Sequence, residues 1–353
     1  NAILLYNINI ENQNDTSRTI YGVEMEQYKS CHLLEHGIYF YYDSIQVCCF
    51  LTGKLGTPFW LKRDYKGTKI DWDALCDQMR EIREKNKQGI VDPHCEGCFN
   101  LKEDWWDTDE YFSYFYLSHW TRCNCNCNYC YTEENKKYFN SLKEYKMMPI
   151  LQEMLERKLL RYNGYLAYGG GEPACLDEFD DITELFLENN VRSIVTNTSG
   201  IKPVKSILKG IPTGRLDVTI SVDCADRETY KKIKQIDAYD RVMETLKLYA
   251  AAQTENKTLV RSKYIIIPGL NDSEKEIEKW LAQSCEIGLK QVCIDIEGKW
   301  YIPRKQNVPD HIANLIAYVE KRTKELDLGL FYYSYADQFR FDRDRKLAEQ
   351  NQK

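Results

Sequence analysis

The chain has 353 residues, of which 43% are hydrophobic, and this is enough to bury one large core with or without a smaller second one. A formal net charge of -6 gives no basic footprint for nucleic acid, so no nucleic-acid partner is expected. The sequence contains no run of about 18 apolar residues, so no membrane span is predicted. The N-terminal residues lack the basic and apolar regions of a secretory signal, so we expect a cytoplasmic protein.

Residues 1–110 predict a smaller, irregular, β-rich region that contains cysteines. Residues 37–50 alternate as two strands that turn at Asp43 and Ser44, which is typical of a hairpin. Residues 70–85 place apolar side chains on one helical face and predict an amphipathic helix. The acidic residues 103–110 predict a linker to the next domain.

Residues 111–335 show a regular alternation of strands and helices, which is typical of α/β proteins with a parallel sheet. The predicted strands are 114–120, 165–168, 191–197, 216–222, 259–267, 291–296 and 328–334. Six or seven such units predict a partial barrel of the (β/α)6 type, whose functional residues lie at the carboxyl ends of the strands. Residues 336–353 form a charged C-terminal tail.

The 14 cysteines indicate metal ligation, because a long chain without a secretory signal has little use for many disulfides. Four of them crowd into residues 123–130, directly after a predicted strand. Cys123, Cys127 and Cys130 have the spacing C-x3-C-x2-C, and three thiolates on a 4Fe–4S cluster leave one iron open to a small molecule. With Cys125 the run has four thiolates, which could instead hold zinc or a closed cluster.

The C-x3-C-x2-C run, followed directly by Tyr131, resembles the signature of the radical S-adenosylmethionine (SAM) superfamily. The resemblance covers residues 112–300 and implies the partial barrel of that superfamily. It also implies a SAM-binding 4Fe–4S cluster, which receives an electron from a reducing partner such as flavodoxin or ferredoxin. Reductive cleavage of SAM then gives a 5′-deoxyadenosyl radical that abstracts hydrogen from a substrate.

A glycine-rich turn at the end of the second predicted barrel strand strengthens the resemblance. By resemblance, Gly169, Gly170, Gly171, Glu172 and Pro173 bind the amino group of SAM, largely through backbone carbonyls. The resemblance implies further cofactor-binding residues near the strand ends, namely Tyr129, Asn197, Ser199, Ser221, Asp223 and Ile267. The polar residues among them equally suit helix capping, so both roles stay open.

Cysteines in the first hundred residues predict a second metal site. Their order resembles part of the SPASM and twitch modules, which hold auxiliary 4Fe–4S clusters but normally follow the barrel instead of preceding it. The implied ligands are Cys31, Cys48 or Cys49, Cys95 and Cys98. A structural zinc ion bound by the same thiolates is the alternative.

Two further cysteines follow strand ends and are candidate hydrogen-atom donors to a substrate radical, Cys175 and Cys224. By resemblance to enzymes with auxiliary clusters, the substrate is a peptide, with a carbohydrate or small metabolite as the next choice. One alternative function is a non-catalytic iron–sulfur or zinc protein with a structural or redox-sensing role. Another is a radical SAM enzyme that modifies nucleic acid, which would require a local basic groove.

Overall fold

The computed structural model describes residues 19–20, 23–24, 26–42, 44–47, 60–62, 70–91, 95–96, 98, 100–106, 109–130, 144–254, 259–304 and 307–351. The chain forms two compact units. The first contains Asn1–Thr121, Lys143–Gly171 and Glu184–Val195. The second contains Arg122–Leu142, Glu172–Thr183 and Thr196–Lys353.

The first unit combines short N-terminal strands with the first strands of the predicted barrel. Its strands are β1 (Thr19–Ile20), β2 (Val23–Glu24), β3 (Glu26–Ser30), β4 (Gly37–Tyr41), β5 (Ser44–Gln46), β6 (Trp60–Lys62), β7 (Lys102–Trp106), β8 (Phe112–Ser118), β9 (Leu160–Tyr168) and the first half of β10 (Ser193–Thr198). Its helices are His32–His36, Trp72–Lys87, Met148–Glu156 and the second half of Phe179–Glu188.

The sheet of the first unit does not stop at the predicted domain boundary near residue 110. Strands β10, β9, β8 and β4 are neighbours in that order and run parallel, and β5 and β6 continue the sheet in antiparallel orientation. The predicted hairpin is therefore confirmed as β4 and β5. Because β4 pairs with β8 from Gly37 to Tyr41, the N-terminal region and the first barrel strand share one sheet.

The predicted linker at 103–110 is wrong over its first part. Residues Lys102–Trp106 form strand β7, which pairs antiparallel with β3. The indole of Trp106 donates to the backbone oxygen of Tyr28 at 2.6 Å. The acidic composition hid this strand, because in β7 only Trp106 is buried and the four residues before it are exposed.

The second unit is of the α/β class, as predicted. Its strands are β11 (Leu216–Ser221), β12 (Val260–Ile266), β13 (Gln291–Ile296) and β14 (Gly329–Tyr332), which pair in parallel in that order. Its main helices are Lys205–Gly210, Arg227–Lys234, Tyr239–Ala251, Glu274–Ile287, Asp310–Glu325 and Ser334–Asn351. No helix in the described ranges has both the length and the apolar composition that crossing a membrane requires.

The two faces of β12 and β13 differ sharply in polarity. Tyr264, Ile266, Val292 and Ile294 are completely buried and belong to one apolar cluster with the helices Glu274–Ile287 and Asp310–Glu325. Because successive side chains of a strand point to opposite faces, the residues between them face the other way. One face of this sheet is therefore the core, and the other is free to carry polar groups.

The strands of the second unit curve around that polar face. The side-chain amide of Asn197, near the end of β10, donates to the hydroxyl of Tyr333, which follows β14. Strands β11, β12 and β13 lie between these two in the sheet order, so only a curved sheet brings the two side chains together. The polar face is thus concave.

The C-terminal residues are not only a charged tail. The helix Ser334–Asn351 starts inside the predicted barrel, and Ala336 is completely buried. The backbone N–H groups of Tyr335 and Ala336 donate to the carboxylate of Asp295 at 2.9 and 3.1 Å. Its first turn is consequently part of the fold of the second unit.

Candidate active site

The loop 122–130, which carries the predicted cluster cysteines, lies in the second unit. Two backbone hydrogen bonds attach it to the end of the helix Arg227–Lys234. The N–H of Asn126 donates to the oxygen of Lys234 at 3.1 Å, and the N–H of Asn128 donates to the oxygen of Ile233 at 3.0 Å. The loop is therefore positioned by a helix about a hundred residues further along the chain.

The three thiols of the C-x3-C-x2-C run lie together on this loop. The N–H of Cys130 donates to the oxygen of Cys127 at 3.2 Å, which closes a tight turn. Cys123 is an exposed residue, and its pKa is raised to about 12, chiefly by desolvation of the thiol and in part by the negative charges of Glu172, Cys127 and Cys130. The three sulfurs are thus near enough to interact electrostatically.

Cys125 contacts the same group of thiols. Its hydrogen bond to Cys127 is the largest cause of a lowered pKa of Cys127, and the charge of Lys234 adds to the effect. A lowered thiol pKa favours the thiolate, which is the form that binds iron or zinc.

The chemistry of these side chains fits an iron–sulfur cluster. In the part of the chain that the structure describes, no three Cys, His, Asp or Glu side chains converge at the spacing of a single-ion site. A 4Fe–4S cluster takes its thiolates at separate iron corners, so its ligands need not converge on one point. The residues that would hold it are Cys123, Cys127 and Cys130.

A buried ion pair lies behind the cysteine loop. Lys234 donates to the carboxylate of Asp223, and their side chains are 2% and 0% exposed. The hydroxyl of Tyr129 donates to the same carboxylate oxygen at 2.5 Å. Although burial alone lowers the pKa of Lys234, the negative charges of Asp223 and Cys127 more than offset it and leave that pKa raised.

Asp223 was predicted to bind the cofactor, but its carboxylate is occupied within the protein. One oxygen accepts from Lys234 and Tyr129, and the other accepts from the N–H of Ile265 at 3.0 Å. Its backbone has a positive φ of 61°, which turns the chain directly after β11. The carboxylate therefore fastens the cysteine loop to β12, and Tyr129, another predicted cofactor-binding residue, points its hydroxyl at this carboxylate.

Asn271 holds the next strand end in place. Its amide nitrogen donates to the backbone oxygens of Asp223 and Ile265, both at 2.8 Å, and its oxygen accepts from the N–H of Ile267 at 2.7 Å. Ile267, which is predicted to pack on the adenine of SAM, is 8% exposed. Asn271 thereby fixes the backbone around a predicted cofactor contact.

The glycine-rich turn follows β9 in the first unit and has two positions that require glycine. A Cβ on Gly169 would lie 1.9 Å from the hydroxyl of Tyr116. Gly170 has a φ of +77°, and a Cβ there would lie 2.6 Å from the backbone oxygen of Trp120. The N–H of Gly171 donates to the same oxygen at 3.1 Å. The turn is therefore packed against the residues that lead into the cysteine loop.

Glu172 continues this motif into the second unit, where its carboxylate is buried. It accepts from the hydroxyl of Thr198 at 2.6 Å and from the N–H of Ser199 at 2.7 Å. The hydroxyl of Ser199 in turn donates to the side-chain oxygen of Asn124 at 3.0 Å. Burial raises the pKa of Glu172. Glu172 and Ser199 thus connect the end of β10 to the cysteine loop, and their predicted contacts with the cofactor stay predictions.

The two candidate hydrogen donors differ in access. Cys224 is completely buried, and its thiol contacts the backbone oxygens of Val222 and Asp226, both at 3.4 Å. Its thiol is therefore enclosed by the protein in this structure, and its role as a donor stays a prediction. Cys175 is half-buried in the short turn Pro173–Cys175, and its role stays a prediction.

The predicted auxiliary site is described only in part, and all of that part lies in the first unit. The N–H of Cys98 donates to the oxygen of Cys95 at 3.0 Å, so the C-x2-C pair forms a turn. Cys31 is buried at the start of the helix His32–His36, where its sulfur accepts from the N–H of Leu34 at 3.2 Å. Cys48 and Cys49 lie outside the described residues.

Sequence reasoning missed Lys234, Asn271 and Asn124. For Lys234 a signal existed, because Tyr230, Ile233 and Lys234 have the i, i+3, i+4 spacing of one helical face, and all three are buried. A lysine on a buried face requires a counter-charge. No comparable signal marks Asn124 or Asn271, whose partners are distant strand and loop residues.

Comparison with known protein families gives a match over this site. Residues 117–281 match the sequence model of the Radical SAM superfamily, and this range begins in β8 and includes the cysteine loop and the glycine-rich turn. This stretch, slightly less than half of the chain, is thus similar to a radical SAM domain.

The chain is also similar to curated proteins. It is 25% identical over 168 residues to a GTP 3',8-cyclase of Shewanella denitrificans, covering 46% of this chain and 47% of the relative. It is 25% identical over 169 residues to a GTP 3',8-cyclase of Pasteurella multocida, covering 46% and 48%. The chain thus matches about half the length of these relatives.

Among solved structures, the fold is similar to that of Streptococcus suis SuiB bound to the precursor peptide SuiA. The TM-score is 0.49 at 12% identity, over 79% of this chain and 58% of that chain.

Proposed function

We propose that this protein is a radical SAM enzyme that cleaves SAM reductively and abstracts a hydrogen atom from its substrate. The observation that carries the proposal is the cysteine loop inside the matched domain, with three interacting thiols beside the buried cation of Lys234. One electron delivered to a bound cluster would split SAM into methionine and a 5′-deoxyadenosyl radical, which becomes 5′-deoxyadenosine when it takes a substrate hydrogen.

Residues of this chain would bind the cluster and keep the cysteine loop in position. Cys123, Cys127 and Cys130 would bind three irons. The Asp223–Lys234 pair fixes Tyr129 and the back of the loop, and Glu172 with Ser199 fixes its start. A rigid loop keeps the open iron in one place, and accurate placement of the reacting groups is a large part of catalysis.

The test is an anaerobic reconstitution with iron and sulfide, followed by reduction with dithionite and addition of SAM. We expect 5′-deoxyadenosine from the wild type and loss of both product and cluster iron in Cys127→Ala. Cys285→Ala is the matched control, because Cys285 lies on the helix Glu274–Ile287 and packs against the apolar core. Bound zinc with no iron and no product would instead establish the non-catalytic metal protein.

The iron count also tests the proposed auxiliary cluster. A second 4Fe–4S cluster would be held by Cys31, Cys95, Cys98 and one of Cys48 and Cys49. About eight irons per chain would support it, and about four irons with zinc would assign these cysteines to a structural zinc ion. Cys95→Ala should remove about half of the iron and leave the iron bound by the Cys123 loop.

A peptide or a small metabolite is the proposed substrate, with flavodoxin or ferredoxin as the proposed reductant. The curated relatives are named for a reaction of GTP, so a purine nucleotide is the small molecule to test first. Added substrate should increase the formation of 5′-deoxyadenosine over the rate with SAM alone, and mass spectrometry of the substrate identifies the product.

A further inference from the structure

The concave face of the second unit carries a lysine that the proposed reaction does not yet use. Lys263 lies on β12 between Ser262 and Tyr264, and Tyr264 belongs to the apolar core on the opposite face. Lys263 is paired in register with Ser221 on β11 and with Cys293 on β13. Its side chain therefore projects from the polar face, near the predicted cofactor contact Ser221.

Lys263 is buried on the same face as Asp295, with whose charge it interacts. It is 8% exposed, and within the described residues it makes no hydrogen bond or ion pair. Its ammonium lies 5.1 Å from the centre of the Tyr333 ring. Oδ1 of Asp295 accepts from the backbone N–H groups of Ile296, Tyr335 and Ala336, and no ion pair joins its carboxylate to Lys263 among the described residues. A buried ammonium in this position favours an incoming anion.

Asn197 adds a second unsatisfied group beside the same tyrosine. Its amide nitrogen donates to the hydroxyl of Tyr333 at 3.0 Å. Its amide oxygen is buried and accepts no hydrogen bond in the described part of the chain. Lys263 and Asn197 thus approach Tyr333 from two strands. Lys263 supplies a positive charge, and the amide oxygen of Asn197 supplies a hydrogen-bond acceptor.

We propose that Lys263, Asn197 and Tyr333 form a subsite for the substrate of the radical reaction, and this rests on the proposed function. Lys263 binds an oxyanion of that substrate, a carboxylate or a phosphate, by a charge-assisted hydrogen bond. Asn197 accepts from a neighbouring O–H or N–H of the same molecule. The substrate class is therefore an anionic molecule with a hydrogen-bond donor beside its charge, which peptide ends and nucleotides both satisfy.

Calorimetric titration of the reconstituted, SAM-loaded protein tests the subsite. The phosphate probe is inorganic pyrophosphate, the carboxylate probe is succinate, and the probe that binds identifies the source of the oxyanion. We expect Lys263→Gln to weaken that binding at least about tenfold. Lys290→Gln, which removes an exposed lysine next to β13, should leave it unchanged. Binding of neither probe to the wild type, or equal binding to Lys263→Gln, would overturn the proposal.

Two further readouts separate this subsite from other roles of Lys263. The KM for SAM in 5′-deoxyadenosine formation without substrate should be the same in Lys263→Gln as in the wild type. A KM raised about tenfold would show that Lys263 holds the carboxylate of SAM and would overturn the proposal. The melting temperature of ligand-free Lys263→Gln should stay close to that of the wild type, because the ammonium makes no hydrogen bond or ion pair within the described residues. A large decrease would reveal a structural partner and also contradict the subsite.

The titration needs no turnover, so its outcome does not depend on the cleavage of SAM, and it is repeated on the protein before reconstitution. Absence of 5′-deoxyadenosine from the wild type would refute the proposed function, whereas unchanged anion binding in Lys263→Gln would refute only the subsite.

Discussion

Lys234 and Asp223 form an ion pair that is almost completely removed from water. Asp223 turns the chain after β11, and Lys234 ends a helix whose last backbone oxygens bind the cysteine loop. One pair therefore connects a strand end, a helix end and the loop that carries the predicted iron ligands.

Replacing Lys234 with Met should strongly destabilise the protein. The change leaves the Asp223 carboxylate buried without its cation, and loss of one partner of a buried pair costs about 3–5 kcal/mol. Urea denaturation of the protein before reconstitution measures the loss in the free energy of unfolding. Lys232→Met is the matched control on the exposed side of the same helix, where we expect a change within about 0.5 kcal/mol. Similar losses in the two variants would contradict the structural role of the pair.

Replacing Cys125 with Ala distinguishes an open cluster from a closed four-thiolate site. If only Cys123, Cys127 and Cys130 bind iron, Cys125→Ala should keep the cluster iron and continue to form 5′-deoxyadenosine. A modest decrease in rate is expected, because the thiol that lowers the pKa of Cys127 is lost. Iron analysis and the product assay on the same preparation measure both quantities. Loss of iron to the extent seen in Cys127→Ala would make Cys125 a ligand.

Replacement by alanine should destabilise the protein more at Gly170 than at Gly269, although the two glycines have similar backbone angles. Gly170 has a φ of +77° and Gly269 a φ of +84°, so alanine is strained at both. A Cβ at Gly170 also collides with the backbone oxygen of Trp120 at 2.6 Å, whereas a Cβ at Gly269 meets nothing within 4 Å.

We therefore expect Gly269→Ala to cost about 1–2 kcal/mol and Gly170→Ala clearly more. Gly170→Ala should also slow 5′-deoxyadenosine formation, because the turn and the residues before the cysteine loop must move apart. Thermal unfolding and the product assay check both effects. Equal costs at the two positions would show that the glycine-rich turn is not tightly packed.

Asp295 should make the protein less stable as the pH rises from about 4 to 6. Burial, as the largest cause, raises its pKa to about 6 from an ordinary value of 3.8, so the folded state binds this proton more tightly than the unfolded state. Stability then falls as the proton is lost and stays constant above the folded pKa. About two pKa units correspond to roughly 3 kcal/mol.

Asp295→Asn removes the titrating proton while keeping an oxygen that can accept from the N–H groups of Tyr335 and Ala336. Its free energy of unfolding, measured in urea at several pH values, should lack this part of the decrease between pH 4 and 6. An unchanged slope in the variant would assign the pH dependence to other carboxylates.

Most barrel strands and helices could be predicted because their patterns are local. The strand Gln291–Ile296 has the predicted bounds, since it buries one apolar set with a clear period. Strand Lys102–Trp106 could not be predicted from its acidic sequence, because its pairing with Glu26–Ser30 comes from a segment more than 70 residues earlier. The parallel pairing of Gly37–Tyr41 with Phe112–Ser118 is equally non-local.

The sequence by itself determined the cysteine motif and the glycine-rich turn, because the ligands of one cluster and the bends of one turn lie within a few neighbouring residues. The contacts that position the cysteine loop and the glycine-rich turn depend on the tertiary structure. Lys234 meets Asp223, and Asn197 meets Tyr333, only after the strands and helices of the second unit pack. The tertiary structure also shows that Cys224 is buried. The direction of its side chain depends on the backbone turn after β11, which the composition of the sequence does not reveal.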